Sequence, residues 1–169
     1  MRLDRFFALA LALTVAGFAA HAQLAPVDPD WREIEAPPAP AFSAEGLISL
    51  DTPRSALRFG VAPASVAVGG DGIVRYVVVA TSASGAVNAM YEGIRCKTGE
   101  YKVYARHNPG SGWVIAKDPL WLSLQSAPMP RHALIIARTG ACVGHGTAIS
   151  AAKIVSDLRS PVARFDQPQ

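Results

Sequence analysis

Residues 73–106, IVRYVVVATSASGAVNAMYEGIRCKTGEYKVYAR, constrain the fold more than any other part of the chain. Three extended runs are separated by two short turn signals. The first, residues 73–81, holds four valines, an isoleucine, a threonine and a tyrosine, side chains that fit a pleated surface and lose rotamer freedom in a helix. Val77, Val78, Val79 and Ala80 are apolar on both strand faces, the pattern of a central strand. Residues 82–85 (SASG) turn the chain, residues 86–96 return as a second strand, and Lys97, Thr98 and Gly99 turn it again into a third strand over residues 100–106.

A register follows from the turns. With Thr81 opposite Ala86, Val77 faces Met90 and Arg75 faces Glu92. With Cys96 opposite Glu100, Glu92 faces Tyr104. Opposite residues share a sheet face, so Arg75, Glu92 and Tyr104 form a row across three strands and Tyr76 pairs with Tyr91 on the other face. A bulge at Gly93 would shift this by one residue and exchange the faces.

The flanks read as one further unit. Residues 44–68 hold short apolar runs broken by Pro53 and Pro63, giving two or three short strands, and Gly69-Gly70-Asp71-Gly72 is a tight turn. A phosphate-cradling loop would need a helix after the glycines; a β-branched run follows instead. Trp113–Ala116 is a fourth strand and residues 120–124 a last one. Ala133, Leu134, Ile136 and Ala137 line a helical face that Gly140 stops, and residues 147–158 form a helix capped by Thr147. Strands followed by helices predict an α+β domain: a small antiparallel meander of about five strands and then one or two C-terminal helices.

Residues 1–22 read as a secretory leader. Arg2 and Arg5 precede an uncharged apolar run over residues 6–20, and Ala20-His21-Ala22 supplies a small-x-small cleavage pattern, so the exported chain begins at Gln23. The run is shorter than the roughly 20 residues a spanning helix needs, and no later run is long enough, so no transmembrane segment is expected after cleavage. The division is then a leader (1–22), a proline-rich arm (23–43), a single domain (44–160) and a frayed tail (161–169). The arm carries Pro26, Pro29, Pro37, Pro38 and Pro40, a density that favours extended structure. Trp31 is an aromatic anchor that docks the arm on the domain or, on the sharper reading, takes a partner. Export implies the periplasm. Loss of Arg2, Arg5 and Asp4 with the leader brings the net charge from +3 to +2, and no basic, aromatic-interleaved block suggests nucleic acid.

The two cysteines, Cys96 and Cys142, suggest a disulfide in an exported chain. A reactive thiol or a metal site are the alternatives. Neither cysteine lies in a C-x-x-C pair, and the spacing of Cys142 and His145 alone is a weak ligand pattern.

The series GGDGIVRYVVVATSASGAVNAMYEGIRCKTGEYKVYAR, followed by the tryptophans of SGWVIAK and DPLWLSL, resembles the cryptic neisserial protein-like family of exported bacterial proteins. DG-x-VRY, SGA-x-N and YEGIRC carry the match, which covers roughly residues 31–142. The resemblance implies export and a single domain of that type, and supplies no reaction, cofactor or catalytic residue.

No nucleophile elbow, metal-ligand spacing or close carboxylate pair in a strand marks catalysis. Catalytic residues, metal and cofactor are therefore expected to be none. The mature histidines, His107, His132 and His145, read as surface residues. Arg75, Tyr91, Glu92, Arg95 and Tyr104 are the candidate binding residues, because guanidinium groups inside strands can fork a carboxylate or phosphate; a cross-strand ion pair is the plainer alternative. The leading functional expectation is a non-catalytic envelope module whose partner is another protein or the cell wall. A small-ligand binder with a pocket between sheet and helix is second, and a small hydrolase third.

Overall fold

The computed structural model describes residues 28–126 and 131–160. The leader, its cleavage position at Ala22 and Gln23, and the tail lie outside the described residues.

The long β-branched runs form the strands expected of them, and shorter ones extend the sheet. In chain order the strands are β1 (Ile48–Leu50), β2 (Arg58–Val61), β3 (Ala67–Val68), β4 (Ile73–Thr81), β5 (Val87–Arg95), β6 (Glu100–Asn108), β7 (Gly112–Ile115) and β8 (Leu122–Ser123). They make one eight-stranded sheet, not five, with spatial order β1-β2-β4-β5-β6-β7; β3 also pairs with β4, and β8 with β6. All these pairings are antiparallel. The additional strands are two to four residues long, too short to show a period of two. Two of them, β2 and β3, give the buried β4 its hydrogen-bond partners along its outer edge. β2 covers Val78–Thr81 and β3 covers Val74 and Arg75. In the gap the Ser65 hydroxyl accepts the Val77 N–H at 2.8 Å and donates to the Ala62 carbonyl at 2.6 Å, while the Ala62 N–H donates to the Val77 carbonyl at 3.0 Å.

The register differs from the expected one by one residue. Thr81 pairs with Val87, Val77 with Tyr91, Tyr76 with Glu92 and Arg75 with Gly93. The cause is the turn: Ser82 and Ala86 are already joined by a 2.9 Å backbone bond, and Gly85, at φ +84°, closes a three-residue loop. An odd loop in place of an even one moves every β5 side chain to the other face. β5 and β6 pair as Arg95 with Glu100 and Glu92 with Val103, and a bulge then brings Ala105 opposite Tyr91. Tyr104 is the extra residue. Arg75 and Glu92 therefore lie on opposite faces, and the expected Arg75–Glu92–Tyr104 row and Tyr76–Tyr91 pair do not form.

Gly93 sits where the bulge brings Tyr104 against β5. A Cβ there would lie 2.8 Å from two Tyr104 ring-side atoms and 2.9 Å from Ile73 Cγ2. Gly93→Ala is expected to destabilise the fold by about 1–3 kcal/mol through overpacking. A denaturant midpoint equal to that of the unsubstituted chain would show that the bulge relaxes freely.

Each face of the sheet has its own cover. On one, Val61, Val74, Tyr76, Val78, Met90 and Ile94 pack beneath the C-terminal elements. These are α1 (Arg131–Ile136), a π-helical turn (Ala137–Ala141), a hairpin of β9 (Cys142–Val143) and β10 (Gly146–Thr147), and α2 (Ala151–Arg159). Gly140 does not end the helix. It lies inside the π turn, where a Cβ would approach the Ile154 carbonyl to 3.0 Å, so its missing side chain lets α2 come close. Thr147 belongs to β10, and Ser150 caps α2 by accepting the Lys153 N–H at 3.2 Å. A Cys96–Cys142 disulfide, with Cα atoms 5.5 Å apart, fastens the end of β5 to β9. The other face, with Val77, Val79, Ala89, Tyr91, Tyr104 and Ala105, is covered by Ala36, Ala39 and Phe42 of the proline-rich arm.

Candidate functional site: the arm-covered sheet face

The one-residue register change gathers four of the five candidate residues on a single face. Arg75, Tyr91, Arg95 and Tyr104 lie under the arm; Glu92 lies on the helix side. Tyr91 and Tyr104 rings stand 5.4 Å apart, and the Arg75 guanidinium is 5.6 Å from the centre of the Tyr104 ring.

Arg75 is 4% exposed. Its Nη atoms donate to both Asp71 oxygens, at 2.7 and 3.2 Å, and Nη2 also donates to the Ile34 carbonyl at 3.0 Å. Asp71 in turn accepts the Ile34 N–H at 3.0 Å. The pair thus supplies one acceptor and one donor to the backbone of a single arm residue, as a neighbouring strand would. The turn over residues 69–72 aims Asp71 here: its other role is to accept the Ile73 N–H at 3.2 Å.

Two further sockets hold the arm. Glu33 accepts from Lys102 Nζ at 2.6 Å, the Tyr104 hydroxyl at 2.8 Å and Trp121 Nε1 at 3.2 Å. The Trp31 ring lies 3.5 Å from the Arg95 guanidinium carbon and meets Trp121 edge-on, while its Nε1 donates to the Asp71 carbonyl at 2.9 Å. Farther along, Trp113 Nε1 donates to the Pro40 carbonyl at 3.2 Å, and Phe42 sits against His107 and Trp113. Proline offers a carbonyl but no N–H, so indole donors and aromatic walls suit this segment.

The electrostatics follow from these contacts. Burial alone would raise the Glu33 carboxyl, but the bonds from Lys102 and Tyr104 outweigh it and leave the group below its ordinary value of 4.5. Burial would likewise raise Asp71, yet the bonds from Arg75 and from the Ile73 and Ile34 amides hold it below 3.8. Burial, with the bond to Glu33, pushes the Tyr104 phenol well up, so it remains a donor. Both carboxyls are depressed in the folded state. Their stabilisation is therefore complete above the ordinary values and is lost as pH falls through the lower folded ones. Acidification below about pH 4 is expected to release the arm, read as a red shift in tryptophan emission that is reduced in the Glu33→Gln, Asp71→Asn double variant. Identical acid profiles for the two proteins would show that these carboxylates do not clamp the arm.

Glu92 is 1% exposed on the opposite face. It accepts the Tyr76 hydroxyl at 3.0 Å, and both its oxygens lie 3.1 Å from His132 Nε2. Burial, then the charge and bond of Glu92, push the Tyr76 phenol far above its ordinary value. The His132 ring stacks on Phe59 at 4.7 Å. Two of the three histidines are thus not plain surface residues: His132 is tied to Glu92 and His107 is packed against aromatic rings, whereas His145 is exposed at the β9–β10 tip. The sequence signal for His132 was its i,i+4 spacing from Ile136, which is buried on α1. Nothing local marked Glu33, whose partners are 69 or more residues away in the chain, or the hold of Asp71 on Ile34, 37 residues away.

Among the described residues, no group of three or more His, Cys, Asp or Glu is placed to hold a metal, and no helix is long and apolar enough to cross a membrane. The disulfide removes Cys142 as a thiol. No curated protein and no solved structure gives a significant match to the chain. Residues 27–159 match the model of the CNP1-like family, in accord with the resemblance carried by the central strands. On that match, which spans most of its length, the chain belongs to the CNP1-like family, a family of uncharacterised bacterial proteins.

Proposed function

We propose that this protein is an exported, non-catalytic interaction module of the bacterial envelope, working through the sheet face that carries Arg75, Tyr91, Arg95 and Tyr104. The observation that carries the reading is how the arm is held. It lies on the sheet as a ligand lies on a receptor: the N–H and the carbonyl of Ile34 are taken by Asp71 and Arg75, and Trp31 and Glu33 each fill a socket. Tryptophan Nε1 donors and aromatic walls flanking Pro40 suit extended, proline-containing polypeptide. Export is supported by the leader pattern and by the disulfide, which persists in oxidising compartments.

The test is direct. In a Trp31→Ala chain the arm's hold is weakened, and a labelled peptide of residues 30–42 is expected to bind saturably, while a scrambled peptide does not. Absence of binding up to about 1 mM, the affinity range of the weakest useful contacts, would remove the receptor reading. Intact mass of the periplasmic protein checks export: the chain should begin at Gln23, and retention of Met1 would refute cleavage.

A further inference from the structure

We infer that the arm-covered face also takes the arm of a second copy of this chain, giving an arm-exchanged dimer. The inference rests on the reading of that face as a peptide receptor, and commits it to one occupant.

Three observations lead there. The first is that the sockets fit this segment. Asp71 and Arg75 take the N–H and the carbonyl of Ile34, Lys102 and Tyr104 take Glu33, and Trp113 takes the Pro40 carbonyl. A second copy carries the same segment with the same spacing, so every one of these bonds can form between chains without a new contact. The second is the manner of attachment. The bonds from Ile34, Trp31, Glu33 and Pro40 to the body all run through a side chain on one side or the other. The arm can therefore leave or enter without opening a strand ladder.

The third is the hinge. The arm joins β1 through residues 44–47, of which 44–46 form a bend. Gly46 stands at φ +68°, and a Cβ built on it would meet nothing within 4 Å. Straightened, four residues reach at most about 14 Å, enough to carry the arm onto a copy apposed at the hinge side. An apolar depression lies on that side, lined by Phe42, Gly46, Ala62, Pro63 and Ala64, and the crossing hinges would cover it. Exchange of identical elements is a low-cost route to a twofold dimer because the closed and exchanged forms share their contacts.

The experiment places a photoreactive benzophenone side chain at Phe42, which in the closed form touches His107 and Trp113. Light and heavy-isotope preparations of the full chain are mixed, concentrated, irradiated and digested. Cross-links from position 42 to the 107–113 segment are then scored as within one chain or between light and heavy chains. Inter-chain cross-links are expected to rise with protein concentration. Deletion of Ala44 and Glu45 should make them predominant and the protein dimeric by native mass spectrometry, and in that shortened chain, whose arm cannot fold back on its own body, Trp31→Ala should lower the dimer fraction about tenfold or more. Only intra-chain cross-links in the concentrated photoreactive chain with its hinge at full length would overturn the proposal, whether or not the shortened variant folds. If the 30–42 peptide still binds the Trp31→Ala chain in that case, exchange fails while the receptor reading stands. If the peptide also fails to bind, both fail.

Discussion

Replacing Glu92 by alanine is expected to lower stability by roughly 2–4 kcal/mol, because it leaves buried hydrogen-bond donors without their acceptor and opens a cavity in β5. For a domain of this size that is a fall in melting temperature of about 10–20 °C. The physical reason is the position of the group. Glu92 is 1% exposed in the middle of β5, and its carboxylate accepts the hydroxyl of the fully buried Tyr76 while lying 3.1 Å from His132 Nε2. Without it the Tyr76 hydroxyl is left without an acceptor inside the core, and the first turn of α1 loses its polar tie to the sheet. Glu92→Gln keeps an acceptor for one of the two donors and should fall between alanine and the unsubstituted chain. His132→Ala should cost less than Glu92→Ala, because the Tyr76–Glu92 bond survives. Thermal melts of the three variants check the order. A Glu92→Ala melt within about 2 °C of the unsubstituted protein would show that the buried carboxylate contributes no net stability. The arm should remain docked in all three folded variants, since it lies on the other face, and tryptophan emission reads that separately.

Reduction of the Cys96–Cys142 bond, or its replacement by two alanines, is the second large effect. The bond closes a sequence separation of 46 residues, for which the chain-entropy model gives about 4 kcal/mol. It also ties the β9–β10 hairpin, a two-stranded element of two residues per strand, to the end of β5. A hairpin that small has little stability of its own. The expected outcome is a melting temperature lower by about 10–15 °C in reductant, with increased proteolysis between residues 142 and 150 before the sheet is lost. Equal melting with and without reductant would contradict it.

The central strands were legible in the sequence for a simple reason. Residues 73–81 and 100–106 combine β-branched or aromatic side chains with turn formers at each end, a local signal that needs no tertiary contact to read. The α+β class, the C-terminal helices and the disulfide partners followed from equally local information. What local information could not supply was parity. A three-residue loop closed by Gly85 in place of a four-residue one is a difference of a single residue, yet it decides which side of the sheet carries Arg75 and which carries Glu92.

The candidate site shows the same division. Arg75, Tyr91, Arg95 and Tyr104 stood out because charge and phenol are unusual inside strand patterns, and the structure brings them onto one face. Glu33 did not stand out, and Asp71 and Trp121 did so only within the series that carries the family resemblance, because an exposed-looking glutamate in a proline-rich stretch and an aspartate in a glycine turn are ordinary where they occur. Their significance comes from chain segments tens of residues apart meeting across a sheet. The sequence by itself determined the long central strands, the proline-rich character of the arm and the cysteine pair, since each depends on backbone preference or on a residue count. Only the tertiary structure decided that the arm covers one face, that Glu92 is buried with Tyr76 and His132 on the other, and that Asp71 and Arg75 together hold the backbone of Ile34. Each of these depends on register and on which distant side chain fills the space left by another.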